Sequence, residues 1–415
     1  MRVPDPRLAI AFAIVSLLAA APARAADPVV AAAGDIACDQ FPTVPATCQQ
    51  QATSNLIAGR PLAAVLALGD TQYERGELAN FQQFYDPTWG RFKSITHPAI
   101  GNHEYATTDG QGYFQYFGAA AGAPQTGYYS FDVGSWHLIA LNSNCRKAGG
   151  CGSSGPEDEW LKADLARTSS KSCTLAYWHQ PHFSSGFAGD DDSGQNPTLA
   201  FWNDLYASGA DVVLGGHDHD YERFGLQDPD GETEPAFGIR EFVVGTGGKS
   251  NGPFGETSTN SQVRNTGTYG VLEMTLHPRS YDWRFVPAQG KTFTDSGTDR
   301  CHGSPGEPLV KVSRARSRLS RSGSLRLFAE CAATCRTHAQ VTVTIGKQQV
   351  RSRRLSRKLF PKLRSAVRIK FAKGDLRRIH RAFQRHRRLH AQVSVSASAS
   401  GIKTGSATVR LRLRR

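Results

Sequence analysis

Five short apolar runs along the chain each end in residues of a kind that commonly bind metals. Each run is bounded by polar residues, as Ala64 to Leu68 is, and this pattern predicts buried strands. The runs and the polar residues that close them are AAAGD (Asp35), VLALGDTQY (Asp70 and Tyr73), PAIGNHE (Asn102 and His103), TLAYWH (His179) and DVVLGGHDH (His217 and His219). Because functional groups in open α/β sheets gather beyond the carboxyl ends of the strands, we expect these side chains to share one crevice.

Segments with helical spacing separate these runs. NFQQFYDPTWGRF, PEDEWLKADLART and TLAFWNDLYAS are the helix candidates, and in the second Trp160, Leu161 and Leu165 are spaced to share a face. Further along, GIREFVVGTGG, YGVLEMTLH and YDWRFVP have the composition of strands of a second sheet or its edge. This alternation favours a layered α/β fold.

The C-terminal part of the chain has a different pattern. HAQVTVTIGK, AVRIKFA, HAQVSVSASA and ATVRLRLR alternate apolar and polar residues, which predicts strands. Between them, GDLRRIHRAFQRHRRLH places Leu376, Ile379 and Phe383 on one helical face. We expect a small β-rich domain of the immunoglobulin-like sort, with a disordered basic tail as the alternative.

Composition changes where the turn residues of TDRCHGSPGEP cluster. We predict a signal peptide over 1–25, a catalytic domain over 26–300, a linker over 301–307 and a basic domain over 308–415. The net charge of +13 is unevenly divided between these parts. Residues 308–415 contain 29 Lys and Arg against Glu330 and Asp375, a net +27, and the remainder of the chain carries −14.

The first residues resemble a secretory signal. Arg2 and Arg7 precede an apolar run from Leu8 to Ala21, and Ala23-Arg24-Ala25 has the small-x-small cleavage pattern. A membrane anchor is the alternative, although an anchor needs about 20 apolar residues. We therefore expect a secreted or extracytoplasmic protein without a transmembrane segment in its mature form, retained at the cell surface if the basic domain binds there.

Eight cysteines agree with export, because an even number in an exported chain favours disulfides. None lies in a CxxC pair and none ends a ligand-bearing strand, which disfavours a zinc–thiolate site. We favour the local pairs 38–48, 145–151 and 331–335, which leaves Cys173 and Cys301 as a long-range pair.

The residues at the strand ends form a mixed donor set. Asp35 and Asp70 supply anionic oxygens, Asn102 supplies an amide oxygen, and His179, His217 and His219 supply imidazole nitrogens. Any one of these has an ordinary structural explanation, since a Gly-Asp after a strand is usually a turn or a helix cap. Together, hard oxygen and borderline nitrogen donors suit two metal ions better than one.

The ordered set GD…GDxxY…GNHE…H…GHxH resembles the calcineurin-like metallophosphoesterases. Tyr73 in GDTQY, and the YER that follows the last His pair, are similar to the purple acid phosphatase branch. The resemblance covers roughly residues 29–287 and does not extend to the basic C-terminal part. It implies a two-sheet α/β sandwich with a dinuclear metal site at the strand ends.

The resemblance also implies a ligand set. Asp35, Tyr73 and His219 would bind the first metal, Asn102, His179 and His217 the second, and Asp70 would bridge both. Tyr73 as a phenolate implies Fe(III) in the first site, paired with Zn(II), Mn(II) or Fe(II). Simple packing of Tyr73 against the sheet is the alternative.

The chemistry expected of such a site is hydrolysis of a phosphate ester by a metal-bound hydroxide. His103 is the leading candidate to contact the phosphoryl group, and Glu104 either orients His103 or is a surface carboxylate. His182, in WHQPHFSSG, is a second candidate proton donor, although the family pattern usually has another residue type there.

The loop GFAGDDDSGQNP lacks the His pair of plant members, and Asp190, Asp191 and Asp192 are more simply a solvated acidic loop. We expect Asp218 and Asp220 to orient the imidazoles.

Three functions follow from these features. The first is a secreted, acid phosphatase-like phosphomonoesterase acting on a small phosphate-ester substrate, and the second is a phosphodiesterase acting on nucleotides or glycerophosphodiesters. The third belongs to another class, a surface-attached protein whose basic domain binds anionic cell-wall polymer, a lipid surface or nucleic acid.

Overall fold

A computed structural model gives the fold of most of the chain. The residues that it describes are 26–39, 48–123, 125–150, 152–169, 171–187, 198–303, 309–315, 319–320, 323–332, 335–346, 348–359, 365–385, 389–399 and 402–413. The predicted signal peptide, Asp190 to Asp192, Cys151 and residues 304–307 of the predicted linker lie outside them.

The first 300 residues contain two large sheets. Their strands are β1 (Val29–Ala33), β2 (Ala64–Leu68), β3 (Thr96–Ala99), β4 (Tyr129–Val133), β5 (Trp136–Ala140), β6 (Cys173–Tyr177), β7 (Val212–Gly215), β8 (Tyr221–Gln227), β9 (Ile239–Val244), β10 (Ser261–Asn265), β11 (Gly270–His277), β12 (Ser280–Pro287) and β13 (Ser296–Arg300).

Helices connect and flank these strands. The α-helices are α1 (Gln50–Ile57), α2 (Leu78–Asn80), α3 (Gln111–Phe117), α4 (Pro156–Thr168) and α5 (Leu199–Ser208). Helix α2 continues into a π-helical turn, Phe81–Tyr85, and short 3₁₀ helices span Trp89–Ile95, Glu104–Ala106, Thr108–Gly110 and Gly118–Ala121.

Sheet order places the five predicted runs close together. The first sheet runs β13-β12-β11-β1-β2-β3, and the second runs β10-β8-β9-β7-β6-β5-β4. Strands β1, β2 and β3 are mutually parallel, as are β5, β6, β7 and β9. Buried side chains from both sheets form one apolar cluster, which includes Leu66, Leu138 and Phe242. The fold is therefore the predicted two-sheet α/β sandwich.

Most of the predicted elements are confirmed. PEDEWLKADLART forms α4, with Leu161 and Leu165 buried, and TLAFWNDLYAS forms α5. NFQQFYDPTWGRF is broken near Pro87, a residue that cannot continue a helix interior. The three late segments become β9, β11 and β12, but they are divided between the sheets, since β9 joins the second and the other two join the first.

The described residues of the C-terminal part form β-rich structure, as the alternation predicts. Its elements are β14 (Val310–Ala315), β15 (Ser324–Cys331), β16 (Cys335–Ile345), β17 (Gln348–Arg351), β18 (Leu355–Leu359), β19 (Ser365–Lys370), α6 (Lys373–Gln384), β20 (Leu389–Ala399) and β21 (Ile402–Leu413). The sheet β14-β15-β19 is antiparallel, and so is the sheet β17-β16-β20-β21, where β18 also pairs with β16.

The two parts of the chain share a packing contact. Ala236 and Phe237, which precede β9, are 7% and 6% exposed and belong to the same apolar cluster as Leu325, Val341 and other C-terminal core residues. The C-terminal core therefore extends onto the surface of the sandwich.

Disulfides join Cys38 to Cys48, Cys173 to Cys301 and Cys331 to Cys335, as predicted. The long-range pair ties the start of β6 to the residue after β13. The predicted partner of Cys145 is outside the described residues. None of the described helices has the length and apolar character needed to cross a lipid bilayer.

Candidate metal centre

The carboxyl ends of five strands bring the predicted ligands together. Asp35 follows β1, Asp70 and Tyr73 follow β2, and Asn102 follows β3. On the facing sheet, His179 follows β6, and His217 and His219 follow β7. The crevice between the sheets thus collects donors from segments far apart in the sequence.

Tyr73 lies at the centre of one group of donors. Its phenolic oxygen is 2.6 Å from Asp35 Oδ1, 2.9 Å from Asp70 Oδ2 and 3.0 Å from His219 Nε2. His219 Nε2 is also 3.4 Å from Asp35 Oδ1. Because the ring of Tyr73 is 1% exposed, its hydroxyl faces these donors and not solvent.

His179 lies at the centre of the second group. Its Nε2 is 3.1 Å from Asn102 Oδ1, 3.2 Å from His217 Nδ1 and 3.2 Å from Asp70 Oδ2. Asp70 Oδ2 is therefore close to both groups. This is the position that a bridging carboxylate would need.

The contacts around His179 Nε2 test whether the site suits a cation. An imidazole nitrogen carries at most one hydrogen, yet three electron-pair donors lie within 3.2 Å of it. One proton cannot satisfy a carboxylate, an amide oxygen and a second imidazole together. A cation can accept all of these lone pairs, so the residues present fit a metal centre.

The pKa values of His179 and Tyr73 show the same excess of negative potential. Burial lowers the pKa of His179, but the charge and hydrogen bond of Asp70 outweigh this and raise it to about 10. Burial raises the pKa of Tyr73, and Asp35 and Asp70 raise it further. Burial and neighbouring His179 lower the pKa of His217 to about 4, so this ring is neutral.

Backbone carbonyls orient two of the imidazoles. Nδ1 of His179 is 2.9 Å from the carbonyl oxygen of Leu68, and Nδ1 of His219 is 2.5 Å from that of Ser250. These contacts leave Nε2 of each ring facing the cluster. The Asp218 carboxylate accepts a hydrogen bond from the Ser184 hydroxyl, and its orienting role stays a prediction.

Glu104 is a buried organiser of the site and not a surface carboxylate. Its two oxygens accept hydrogen bonds from the backbone N–H groups of Asp70 (3.1 Å), Thr71 (2.7 Å), Gln72 (3.2 Å) and Gly101 (2.8 Å). The Thr71 hydroxyl adds a fifth at 2.8 Å. Glu104 thus ties the loop that carries Asp70 to the loop that carries Asn102, and it does so through the backbone and not by orienting His103.

Two glycines allow the strand-end loops to approach this closely. A Cβ atom on Gly101 would lie 2.1 Å from Asp70 Oδ1, and one on Gly69 would lie 2.5 Å from His179 Nδ1. Gly69 also has φ +83°, which favours glycine. Three of the predicted ligands have positive φ themselves, namely Asp35 (58°), Asp70 (44°) and His217 (70°), and such strain is common at functional sites.

His103 lies at the exposed edge of the cluster. Its backbone N–H donates to Asp70 Oδ1 at 2.8 Å, and its Nδ1 is 2.7 Å from the carbonyl oxygen of Glu74. The side chain is 30% exposed, with Nε2 3.9 Å from Asp70 Oδ2. This ring can reach both the cluster and a molecule arriving from solvent.

His182 has a different environment. It is 2% exposed, its Nδ1 is 2.9 Å from the Thr198 hydroxyl, and its ring stacks on Trp202 of α5 with centroids 4.7 Å apart. Its backbone N–H donates to Glu241. These contacts favour a structural role and do not support the predicted proton donor.

Sequence reasoning missed one further residue at the edge of the site. Lys249 follows β9, and its ammonium lies 4.8 Å from the centroid of the Tyr73 ring. The local sequence GTGGKS carries no pattern that marks a site, whereas Glu104 at least belongs to the GNHE motif.

Comparison with known proteins gives a consistent picture. Residues 28–221 match the family model described as Calcineurin-like phosphoesterase. Purple acid phosphatase 15 of Arabidopsis thaliana is 28% identical over 204 residues, which are 41% of this chain and 37% of that protein. An uncharacterized protein of Mycobacterium tuberculosis is 32% identical over 146 residues, and the match covers 30% of this chain and 27% of that protein.

A solved structure shares the fold. The purple acid phosphatase PPD1 from yellow lupin seeds superposes with a TM-score of 0.53 at 17% identity, covering 66% of this chain and 54% of that one. These matches span less than half of each curated relative and about half of the lupin chain. The residues that match the family model, 28–221, include every residue of the candidate centre as far as His219.

Proposed function

We propose that this chain, whose residues 28–221 match the calcineurin-like phosphoesterase family model and which is similar to purple acid phosphatases, hydrolyses phosphomonoesters outside the cytoplasm at a dinuclear metal centre. The observation that carries the proposal is the convergence of Asp35, Asp70, Tyr73, Asn102, His179, His217 and His219 on two adjoining donor groups. Three disulfides support the export part of the proposal, because such bonds persist in oxidising compartments.

In the proposed assignment, Asp35, Tyr73 and His219 hold one ion, Asn102, His179 and His217 hold the other, and Asp70 bridges them. When bound, the two ions supply an activated water and neutralise charge on the phosphoryl oxygens. Glu104 keeps the two loops in register, and the backbone carbonyls of Leu68 and Ser250 hold two imidazoles in orientation. His103, at the open edge, contacts the phosphoryl group or the departing oxygen.

The identity of the ions depends on Tyr73. Burial and two carboxylates oppose ionisation of its phenol, so only a strongly Lewis-acidic ion would bind it as phenolate. We propose Fe(III) there, with Zn(II), Mn(II) or Fe(II) in the second site. Metal analysis with a visible spectrum tests this, because Tyr73→Phe should remove a tyrosinate charge-transfer band without removing the ions.

Substrate class is tested by comparing an aryl phosphomonoester with its bis-aryl diester. A higher kcat/KM for the monoester is the expected result. The reverse preference would make the protein a phosphodiesterase acting on nucleotides or glycerophosphodiesters, which is the rival proposal for the same site.

A second function is favoured by the charge of the C-terminal part. On α6, Ile379 and Ala382 are buried, while Arg377, Arg378 and Arg381 are exposed. With two carboxylate side chains for 29 basic residues, most of these cations have no acidic partner in this part of the chain. We propose that this face holds the enzyme on an anionic polymer or surface.

The test uses the full-length protein, because Phe237 of the catalytic region packs into the C-terminal core. Replacing Arg377, Arg378 and Arg381 by Gln should weaken retention on an anionic matrix, and about 1 M salt should abolish retention of the wild type. Replacing Arg75, Arg167 and Arg284 of the catalytic region, which are 59%, 68% and 55% exposed, is the matched control. Equal loss in both triple variants would refute a dedicated binding face.

A further inference from the structure

The segment Lys249-Ser250 contacts all three residues proposed to hold the first ion. The backbone N–H of Lys249 donates to the carbonyl oxygen of Asp35 at 2.8 Å, and the carbonyl oxygen of Ser250 lies 2.5 Å from His219 Nδ1. The ammonium of Lys249 lies 4.8 Å from the centroid of the Tyr73 ring. The position of Lys249 is therefore fixed to the site through its backbone.

The side chain of Lys249 reaches the open edge of the site. It is 19% exposed and forms an ion pair with Glu74, which is 54% exposed. The backbone carbonyl oxygen of Glu74 lies 2.7 Å from His103 Nδ1, and the ring centroids of His103 and Tyr73 are 4.3 Å apart. Lys249 and His103 thus border the same entrance, with Glu74 contacting both.

The ion pair with Glu74 still allows the Lys249 ammonium to bind another anion. Pairs with an exposed partner contribute little stability, so a stronger anion can replace Glu74. The attraction of a fixed cation for a ligand scales with the charge of the ligand. A phosphomonoester carries about −1.5 to −2 at pH 7, since its second pKa is about 6, whereas a phosphodiester has a single negative charge.

We propose that Lys249 is a specificity-determining residue that binds a phosphoryl oxygen and favours doubly charged phosphomonoesters over singly charged diesters. Glu74 acts as the counter-ion that the substrate displaces. The inference rests on the proposed phosphatase function and adds the residue that sets its substrate class.

The principal test is Lys249→Met, which keeps the length of the side chain and removes its charge. In the metal-loaded protein, the dissociation constant of inorganic phosphate, measured by titration calorimetry, should rise about tenfold, equivalent to about 1.4 kcal/mol. The kcat/KM for 4-nitrophenyl phosphate should fall by a similar factor, while that for bis(4-nitrophenyl) phosphate should change less than about threefold. Lys249→Arg should restore most of the preference.

Lys93 provides the matched control, because its ammonium lies 4.0 Å from the ring centroid of another tyrosine, Tyr116, in the same domain. Lys93→Met should change none of these constants. An equal loss of kcat/KM for both esters in Lys249→Met, or unchanged phosphate affinity, would overturn the inference.

Glu74→Gln tests the proposed counter-ion role of Glu74. This test does not require that Lys249→Met folds. Freed from its counter-ion, Lys249 should bind inorganic phosphate about threefold more tightly. Unchanged or weaker binding would contradict the proposed exchange. If the wild type hydrolyses neither ester, the proposed function fails, and phosphate binding to Lys249→Met, Glu74→Gln and the control Lys93→Met still decides whether Lys249 binds phosphate.

Discussion

The sandwich and the C-terminal sheets both contain many charged residues, but they place them differently. In the sandwich, Asp35, Asp70 and Glu104 are at most 1% exposed and lie among other polar groups. In the C-terminal part, Arg377 and Arg410 project from an apolar core into solvent. Buried charges need partners and so determine local geometry, whereas exposed charges act at a distance and hardly affect the fold.

Asp70→Asn should have the largest effect, because Asp70 Oδ2 lies against both donor groups. We expect a loss of kcat/KM on the order of 10⁴-fold together with loss of bound metal, measured by steady-state kinetics and elemental analysis. Asp132→Asn is the control, since Asp132 is 47% exposed and pairs with Lys171. Full turnover by Asp70→Asn would show that this carboxylate does not bridge.

Glu104→Gln should come next. The change turns one of two accepting oxygens into a donor, which leaves buried N–H groups without an acceptor at a cost of about 1–3 kcal/mol in the free energy of unfolding. Metal affinity should fall about 10–100-fold, measurable by competition with a chelator. Glu77→Gln, at a carboxylate that is 51% exposed and paired with Arg75, should alter neither quantity.

Arg240 of the sandwich and Arg410 of the C-terminal part allow a direct comparison of what a buried and an exposed charge contribute to stability. Arg240 is 8% exposed, donates to the carbonyl oxygen of Phe224 and to Asp299, each at 2.8 Å, and lies 5.1 Å from the Trp283 ring centroid. We expect Arg240→Gln to lower the free energy of unfolding by about 3 kcal/mol and Arg410→Gln to change it by less than about 0.5 kcal/mol. Chemical denaturation measures both, and equal losses would remove the contrast between the regions.

The smallest expected effect is a pH dependence at His137. Burial lowers the pKa of this residue, but hydrogen bonds to Asp164 and Asp132 outweigh burial and raise it above 6.5. The stabilisation is therefore complete below the unfolded pKa of 6.5 and is lost as pH rises through the higher folded value. The stability difference between wild type and His137→Gln, measured by chemical denaturation, should be larger at pH 6 than at pH 9.

His97 offers a control of opposite sign, because burial lowers its pKa. Its contribution is present above pH 6.5 and is lost as pH falls, so the difference between wild type and His97→Gln should shrink towards low pH. The same trend in both variants would mean that another group controls the pH dependence.

Much of the fold and the donor set could be predicted from the sequence. Short apolar runs ending in polar residues are visible in one dimension, and parallel strands bring their carboxyl ends to one edge. This rule located the candidate donors, while their assignment as ligands of two ions came from the family resemblance and stays a prediction. The alternation in segments such as HAQVSVSASA predicted the C-terminal strands. The predicted domain limits remain predictions.

What the sequence could not show depends on contacts between distant segments. For Glu104 the sequence left two alternatives, orienting His103 or a surface carboxylate, because nothing in GNHE reveals five donors from two loops. His182 was a candidate proton donor three residues beyond His179, and the sequence could not show that its ring contacts Thr198 and stacks on Trp202. Lys249 lies in no recognisable motif, and its position beside the Tyr73 ring is visible only in the structure.

The burial of Phe237 has a consequence for the order in which this protein folds. The chain is synthesised from its N terminus, so the sandwich is complete before the strands that cover Phe237 have been made. Until the C-terminal core that includes Leu325 and Val341 forms, an aromatic side chain that is 6% exposed in the finished molecule faces solvent. The basic part of the chain therefore covers this apolar surface only after it has folded, and a chain that ends near residue 307 should be aggregation-prone even though every proposed metal ligand is present.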